Sequence, residues 1–530
     1  MSAAANTFDI AIVGGGHNGL VAAALLAKAG RRVVLCEALP TLGGAAGVST
    51  LMPGMRAPKC AHVVSGFSPA LIRKLNLKKH GLNVLQKDMS RVALDPGGRH
   101  IVFGPKAKAT RENIFNWSSR DAESWKVFCG ELDLLTSALV PLHRGVSPDL
   151  VPETWPERMA WARHYLRVRR NGREPFQKLL QLLPSNVGDF LDASFETDIL
   201  KGALALDASL GSYHGPSAPG SLFYWTWQRA GELASPSGTL QVEGGPDALV
   251  QALASAARAR GADIRTSSSV ASIRIEDEET TGLVLANGDE IAAPIVISTI
   301  NPKATYLNLV GAKHLDAGMA RDVGAIRVRA SAAKVNLALA QLPSFAKADE
   351  KLLAGRLLVA PGLAEVERAS NPQKYGALPA YPVMEVTLPS IVDASLTPDG
   401  RHILSAIVPF VPLDVDGGWE GQSDNLIKRV IKTLGEYAPD ISDLVMAGEV
   451  LTPRDLETHC GVAGADWHQG EVTFDQAMMM RPVPQLANGR SPIGGLFLGG
   501  AGAHPGGGLS GRPAVNAVAA ATKYAKGGRS

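Results

Sequence analysis

The chain has 530 residues, of which 45% are hydrophobic and 19% charged, a length that exceeds one core and fits two or three packed domains. A formal net charge of +3 is too small to argue for nucleic acid, and no aromatic-interleaved basic stripe supports such a partner. No run reaches the length of a membrane-spanning helix, and Met1 to Thr7 lacks a basic leader region, so a cytoplasmic chain without a secretory signal is expected.

Phe8 to Gly44 reads as strand, glycine turn, helix and second strand ending in an acid. Phe8 to Val13 is a short apolar run suited to a strand buried on both faces of a parallel sheet. Gly14, Gly16 and Gly19 then give G-x-G-x-x-G where that strand must turn into a helix. Gly14 allows the tight turn, Gly16 lets the backbone approach a pyrophosphate, and Gly19 lets helix and strand pack closely. The pyrophosphate would sit on the helix N-terminus, where unpaired N–H groups and the macrodipole favour an anion. The second strand, Arg32 to Cys36, ends at Glu37, whose carboxylate can accept from both hydroxyls of an adenosine ribose and would repel a 2′-phosphate, so NADP is not expected. The four cysteines, Cys36, Cys60, Cys129 and Cys460, are far apart and form no C-x-x-C, which argues against a redox dithiol, a zinc or other metal site and a disulfide framework.

A short helix is expected from Pro69 to Leu75, followed from Arg111 to about Leu200 by a helical pattern that reads as an insertion. Residues 156–183 are basic and amphipathic; they read either as a solvated helix face or as a surface for peripheral membrane contact. Leu222 to Trp227 is the densest aromatic run and suits either plain core or the lining of an apolar pocket. From Gln241 the nucleotide-fold texture returns, with a helix from Pro246 to Arg260, strands at Ile264 to Ser267, Val270 to Ile275 and Ile295 to Ser298, and a hairpin turn at Asn287-Gly288. Strand-like segments such as Ala333 to Leu339 and His402 to Phe410 predict a second sheet. The C-terminal Gly495 to Ala521 again reads strand, glycine turn and helix.

These blocks resemble the phytoene dehydrogenase-like FAD oxidoreductases, a branch of the amine-oxidase-like flavoproteins. The resemblance rests on Ile12 to Gly44, on Val242 to Ile275 with Ile297 to Pro302, on Lys334-Val335-Asn336, and on Met480-Arg481-Pro482 with Leu496 to Gly511. It is nearest to the pyridine nucleotide-disulphide oxidoreductase domain-containing branch, in which GGGHNGL and GAHPGGG recur, although this chain lacks the cysteine pair that such a label suggests. The resemblance implies non-covalent FAD, with Gly14, Gly16 and Gly19 facing the pyrophosphate, Glu37 the ribose, and Gly43-Gly44 the neighbouring loop. It further implies Val270 beside the adenine and Gly500, Ala501 and Gly502 beside the ribityl chain and flavin. Many relatives have an Arg after the paired glycines where this chain has Ala45, so an ionic contact from that position is absent.

The expected architecture is α/β: a discontinuous Rossmann-like FAD-binding domain (1–90, 240–305 and 450–530) plus a mixed-sheet substrate domain (91–239 and 306–449) carrying the helical insertion. The expected activity is oxidation or desaturation of an apolar or amphiphilic small molecule, by hydride transfer to the flavin N5. With only one complete glycine fingerprint, no separate NAD(P)H domain is expected. His504, in the C-terminal turn, is the candidate proton acceptor or substrate orienter. Arg481 reads as an ion-pair partner, with a carboxylate anchor as the second reading, and Lys334 as a solvated residue at a strand start. A redox-neutral flavoenzyme (hydratase or isomerase) and a non-catalytic flavin-binding scaffold are the alternative readings.

Overall fold

The computed structural model describes residues 6–104, 107–146, 151–152, 154–169, 173–235, 238–329, 332–397, 400–489 and 491–527. Its first layer is a five-stranded parallel sheet in the order Asp263–Arg265, Val33–Cys36, Ile10–Val13, Val296–Ser298, Leu496–Leu498. The strands therefore run outward from Ile10–Val13 in one direction and then, after residue 265, in the other. The point where the order reverses, beside Val13 and Ser298, is where open α/β sheets leave a crevice at the strand ends. The apolar helix His17–Lys28 covers one face together with Pro246–Arg258 and Arg512–Tyr524, and these share one hydrophobic cluster. Ile10 to Val13 and Val33 to Cys36 are buried throughout, as unalternating apolar strands covered on both sides must be.

The glycine turn shows why small residues are needed. Gly14 has φ +101°, and a Cβ there would meet the Thr299 Oγ1 at 2.8 Å. A Cβ on Gly19 would lie 1.9 Å from the Gly14 carbonyl oxygen, so helix and turn are in direct backbone contact. Thr299 clamps the turn from the neighbouring strand by donating its hydroxyl to the Val13 carbonyl at 2.9 Å.

The second layer is a seven-stranded mixed sheet in the order Val445–Leu451, Ala332–Leu339, His402–Pro409, Met384–Thr387, Arg356–Val359, Arg91–Ala93, Ile101–Phe103. Only Arg356–Val359 and Arg91–Ala93 pair in parallel; the other neighbours are antiparallel. Helices cover one face from Ser119–His143 through Ser221–Ala234, so the helical layer runs beyond residue 200, where the sequence pattern placed its end. The aromatic run lies on the Ser221–Ala234 helix, and most of it is core: Leu222, Phe223, Tyr224 and Trp225 are buried. The Asn287-Gly288 turn closes the hairpin between Glu279–Leu285 and Glu290–Ala292 as expected.

The basic stretch forms two helices, Trp155–Arg169 and Arg173–Leu182, while Arg170 lies outside the described residues. Trp161 packs inward against the Leu139, Leu142 and Trp227 cluster. No helix among the described residues is long and apolar enough to cross a membrane.

Because the Gly19 contact is backbone on backbone, Gly19→Ala is expected to destabilise the fold by about 3 kcal/mol. A denaturant titration of the variant checks this, and an unchanged midpoint contradicts it.

Candidate functional site

A cavity of about 260 Å³ lies beside His17, at the start of the first helix, and its walls come from both layers. The nucleotide layer contributes His17, Ala45 and the C-terminal loop Pro505, Gly507, Gly508, Leu509, Ser510 and Arg512. Cys60, His62, Arg356, Glu385 and Ile407 come from the second sheet and the segment crossing to it, while His143, Trp227, Gln228 and His468 come from the helical side.

The nucleotide side has the features of an anion site. The His17–Lys28 helix begins at Gly16 with no side-chain cap and no acid in its first turn, leaving its N-terminal N–H groups free for an anion. A Cβ on Gly16 would meet nothing within 4 Å, so the space in front of the turn is open. Gly43 pairs with Gly16 as an isolated bridge, and Gly44 opens a short 3-10 turn, which brings the second glycine pair beside the first. Glu37 stands at the end of its strand with Oε2 accepting from the Gly15 N–H at 2.5 Å and Oε1 from the Leu39 N–H at 2.8 Å. The Glu37 carbonyl receives the Ser268 N–H, which sets half-buried Val270 two residues from that edge. His17 has a hydrogen bond with the Gly508 backbone, and burial lowers its pKa to about 4. Its Nε2 and the Asn18 Oδ1 are buried without a partner. Orphaned acceptors and an open glycine face, at the mouth of an uncapped helix, fit a hydroxyl-rich dinucleotide.

Gly500, Ala501 and Gly502 sit behind the cavity wall. Cβ atoms on Gly500 and Gly502 would lie 2.3 Å from the Thr299 carbonyl and 2.4 Å from Pro302, so these glycines serve close packing between strands. The wall itself is formed a few residues later, at Pro505 to Arg512.

Three assignments made from sequence need correcting. His504 does not line the cavity; its Nε2 bonds the Leu142 carbonyl at 2.8 Å and burial lowers its pKa to about 4, so it ties the C-terminal loop to the helical layer. Among the described residues Arg481 has no carboxylate bonded to it; its guanidinium donates to the carbonyls of His468, Gly470, Glu471, Gln476 and Ala501. It is a buried knot that binds the 468–476 loop to the Ala501 turn, and burial lowers its pKa to about 10. Lys334 is 1% exposed rather than solvated, since the Ala332–Leu339 strand is buried on both faces.

Sequence patterning missed the charged chain behind the cavity. Lys334 Nζ lies 3.0 Å from His62 Nδ1, and His62 Nε2 lies 2.9 Å from Glu385 Oε1. Arg356 donates to the other oxygen of Glu385, at 2.5 and 3.0 Å. Burial raises a carboxyl, but Arg356 and then His62 outweigh it and hold Glu385 well below the ordinary range. A carboxylate there fixes the imidazole as the Nε2–H tautomer, with Nδ1 accepting from Lys334. Burial, opposed by Cys60 and Glu385, brings Lys334 down to about 7, and burial together with Lys334 brings His62 to about 4. Lys334 is thus poised to gain or lose a proton near neutrality, one hydrogen bond from the cavity wall. The strand period could have placed Lys334 on an inner face, but nothing local marks His62, whose partners lie 272 and 323 residues away.

Among the described residues, no group of three or more His, Cys, Asp or Glu side chains is placed to hold a metal ion. The cysteines are free, and burial raises Cys60, which lines the cavity, to about 11, leaving it a neutral thiol.

Residues 12–76 match the family model of an NAD(P)-binding Rossmann-like domain. Together with the doubly wound sheet, the match marks a Rossmann-like nucleotide layer, which this fold sets beside a second, mixed sheet. Over 96% of its length the chain is 29% identical to pyridine nucleotide-disulfide oxidoreductase domain-containing protein 2 of Rattus norvegicus, covering 92% of that protein. It is 24% identical to the neurosporene-forming phytoene desaturase of Rhodobacter capsulatus over 94% of this chain and 90% of that one. A solved structure of a putrescine oxidase variant with redesigned cofactor binding shares the fold at a TM-score of 0.62 and 17% identity, covering 98% of each chain. The resemblance to phytoene dehydrogenase-like oxidoreductases is therefore borne out along nearly the whole chain.

The buried imidazoles set an acid limit. His17, His62 and His504 are lowered from 6.5 to about 4, and His468 to about 3, in each case chiefly by burial. Between pH 6.5 and about 4 the unfolded chain carries protons on these rings that the native state lacks, so stability falls on acidification through that window. Asp466, raised to about 7 by burial, and Asp247, also raised by burial, act with the opposite sign, against these four imidazoles and the likewise lowered His143. Thermal melts should show Tm falling by several degrees between pH 7 and pH 4.5; a Tm that rises on acidification contradicts this account.

Proposed function

We propose that the protein binds FAD non-covalently and oxidises or desaturates an apolar or amphiphilic organic molecule held between the two sheets. The observation that carries this reading is the shared cavity: one side is His17, at the start of the uncapped helix after the glycine turn, with Ala45 and the C-terminal loop, and the other is His62, Glu385 and Arg356, with Lys334 behind His62. Gly14, Gly16 and Gly19 shape the pyrophosphate site, Glu37 accepts from the ribose, Gly43-Gly44 and Val270 border the adenosine half, and Gly500 to Gly502 hold the loop that follows. FAD bound there supplies a two-electron sink that no side chain provides. The protein's own part is to exclude water with Trp227, Leu210 and Ile407 and to accept the substrate's proton. Lys334, poised near neutrality behind the wall, is the group of this chain that can hold a proton, while Glu385, anchored by Arg356, keeps the His62 ring oriented toward it. The single glycine fingerprint supports direct reoxidation by oxygen, a quinone or another acceptor rather than by a resident nicotinamide.

Purified protein should be yellow, and anaerobic addition of a turned-over substrate should bleach it lastingly. Turnover without net bleaching would instead favour the redox-neutral route, and a colourless protein that refuses FAD would end the proposal. Gly16→Ala should keep the wild-type Tm, since its methyl meets nothing, yet lose most of the bound flavin.

We also propose that the helices Trp155–Arg169 and Arg173–Leu182 rest on an anionic membrane surface. Trp155, Leu166 and Leu180 are exposed by 72%, 57% and 59%, beside exposed Arg158, Arg163 and Arg173. The protein should float with vesicles containing phosphatidylglycerol and not with pure phosphatidylcholine. A Trp155→Ser, Leu166→Ser double variant should stay in solution; equal flotation of the two proteins contradicts the assignment.

A further inference from the structure

The backbone of the loop 465–471 is held from two sides by opposite charges. Asp466 accepts the His468 N–H at 2.9 Å on Oδ1 and the Gly470 N–H at 3.0 Å on Oδ2. Arg481 donates to the carbonyls of the same two residues, at 2.5 and 3.1 Å. His468 and Gly470 thus give their N–H groups to a carboxylate and their C=O groups to a guanidinium. Both charged side chains are buried, Asp466 at 3% exposure and Arg481 at 2%, so water takes little part in the arrangement. The loop needs such a hold, because Ala465 and Gln469 adopt positive φ, 52° and 57°, a region unfavourable to residues with a Cβ.

What the loop carries forms the cavity wall. Trp467 and His468 line the cavity, while Asp466 and Arg481 stand behind them. The Trp467 ring is seated on Gly211, where a Cβ would lie 2.5 Å from it, and His468 Nε2 is 3.2 Å from the Tyr224 hydroxyl. Gln469 accepts the Gly502 N–H on its side chain and the Asn301 amide on its backbone carbonyl, each at 3.2 Å, which ties the loop to the C-terminal glycine turn.

The hold depends on the proton count at Asp466. Two N–H donors match an ionised carboxylate, whereas a protonated carboxyl is a weaker acceptor with a hydrogen on one oxygen. Burial and Glu471 oppose the charge, while the two N–H donors and Arg481 favour it; burial prevails and raises the carboxyl to about 7. Glu471 itself is brought to about 2, because His214, Arg329 and Arg327 outweigh its burial. The His468 ring is lowered to about 3 by burial and Arg481, and burial pushes the Tyr224 hydroxyl well above its ordinary value. Glu457 reaches the start of the loop, accepting the Gly464 N–H at 2.8 Å. Since burial disfavours the Asp466 charge, stability is lost as pH rises through about 7, and the tighter wall comes at the expense of the fold.

We propose that Asp466 is a positioning residue: its ionised carboxylate, opposed by Arg481, holds Trp467, His468 and Gln469 in the cavity wall, and its protonation loosens that wall. This regulation rests on the flavoenzyme reading above for what the cavity holds, and on the loop's own geometry for the clamp.

The test is amide hydrogen exchange of the full-length protein, read by mass spectrometry from pH 5.5 to 8.5 with the pH dependence of intrinsic exchange divided out. Peptides covering 467–471 should gain about tenfold in protection across a step near pH 7, while peptides from the Gln422–Gly435 helix stay level. Asp466→Asn should abolish the step and leave the loop at the protection that the wild type shows on the acid side. Asp466→Glu, which keeps a carboxylate, should retain a step at a displaced pH; with the wild-type profile it suffices if Asp466→Asn does not fold. A level wild-type profile, or a step that persists unmoved in these variants and so belongs to another group such as His214, would overturn the proposal. A chain that holds no flavin ends the flavoenzyme reading by its missing colour; the exchange profile of that protein still decides the clamp.

Discussion

The organisation of the molecule depends on one backbone contact, the seating of Gly19 against the carbonyl of Gly14 beneath the Thr299 side chain. That contact lets the first helix start immediately above the first strand and points its free N–H groups into the crevice. It also locks the N-terminal turn to the strand Val296–Ser298 and, one position further, to Leu496–Leu498. The crevice so formed becomes a closed site only because a second sheet and its helices supply the opposite wall.

That opposite wall is costly to build. Lys334, Glu385, Arg356 and His62 lie within it at the expense of their hydration, an arrangement tolerated only because each charge finds a partner. The pairing leaves a lysine near the middle of its titration and an imidazole locked in one tautomer. Such groups have little value to stability and much to proton handling. Arg481 illustrates the contrasting case: equally buried, it meets only carbonyl oxygens and serves as a fastener between loops.

The nucleotide layer was legible in the sequence because its signals are local. Glycine spacing, an unalternating apolar strand and a terminal acid stand within a few dozen residues of one another, and the structure sets Gly14, Gly16, Gly19 and Glu37 around one crevice. The charged wall and the 465–471 loop were not legible, since His62 meets Lys334 and Glu385, and His468 meets Tyr224, only through tertiary folding. Lys334 was misread for a related reason: a lysine early in a strand looks solvated unless both faces of that strand are known to be covered. His504 was drawn to the site by its glycine-rich neighbours, yet the same turn aims it away, toward Leu142.

The fifth strand of the parallel sheet, Leu496–Leu498, and the loop Pro505 to Arg512 are synthesised long after Val296–Ser298, the strand whose edge Leu496–Leu498 covers. Until they leave the ribosome the edge of Val296–Ser298 is bare and the cavity lacks a wall. Closure of the cavity is therefore a late event in folding, and the growing chain must keep that bare sheet edge shielded until Leu496–Leu498 pairs with it.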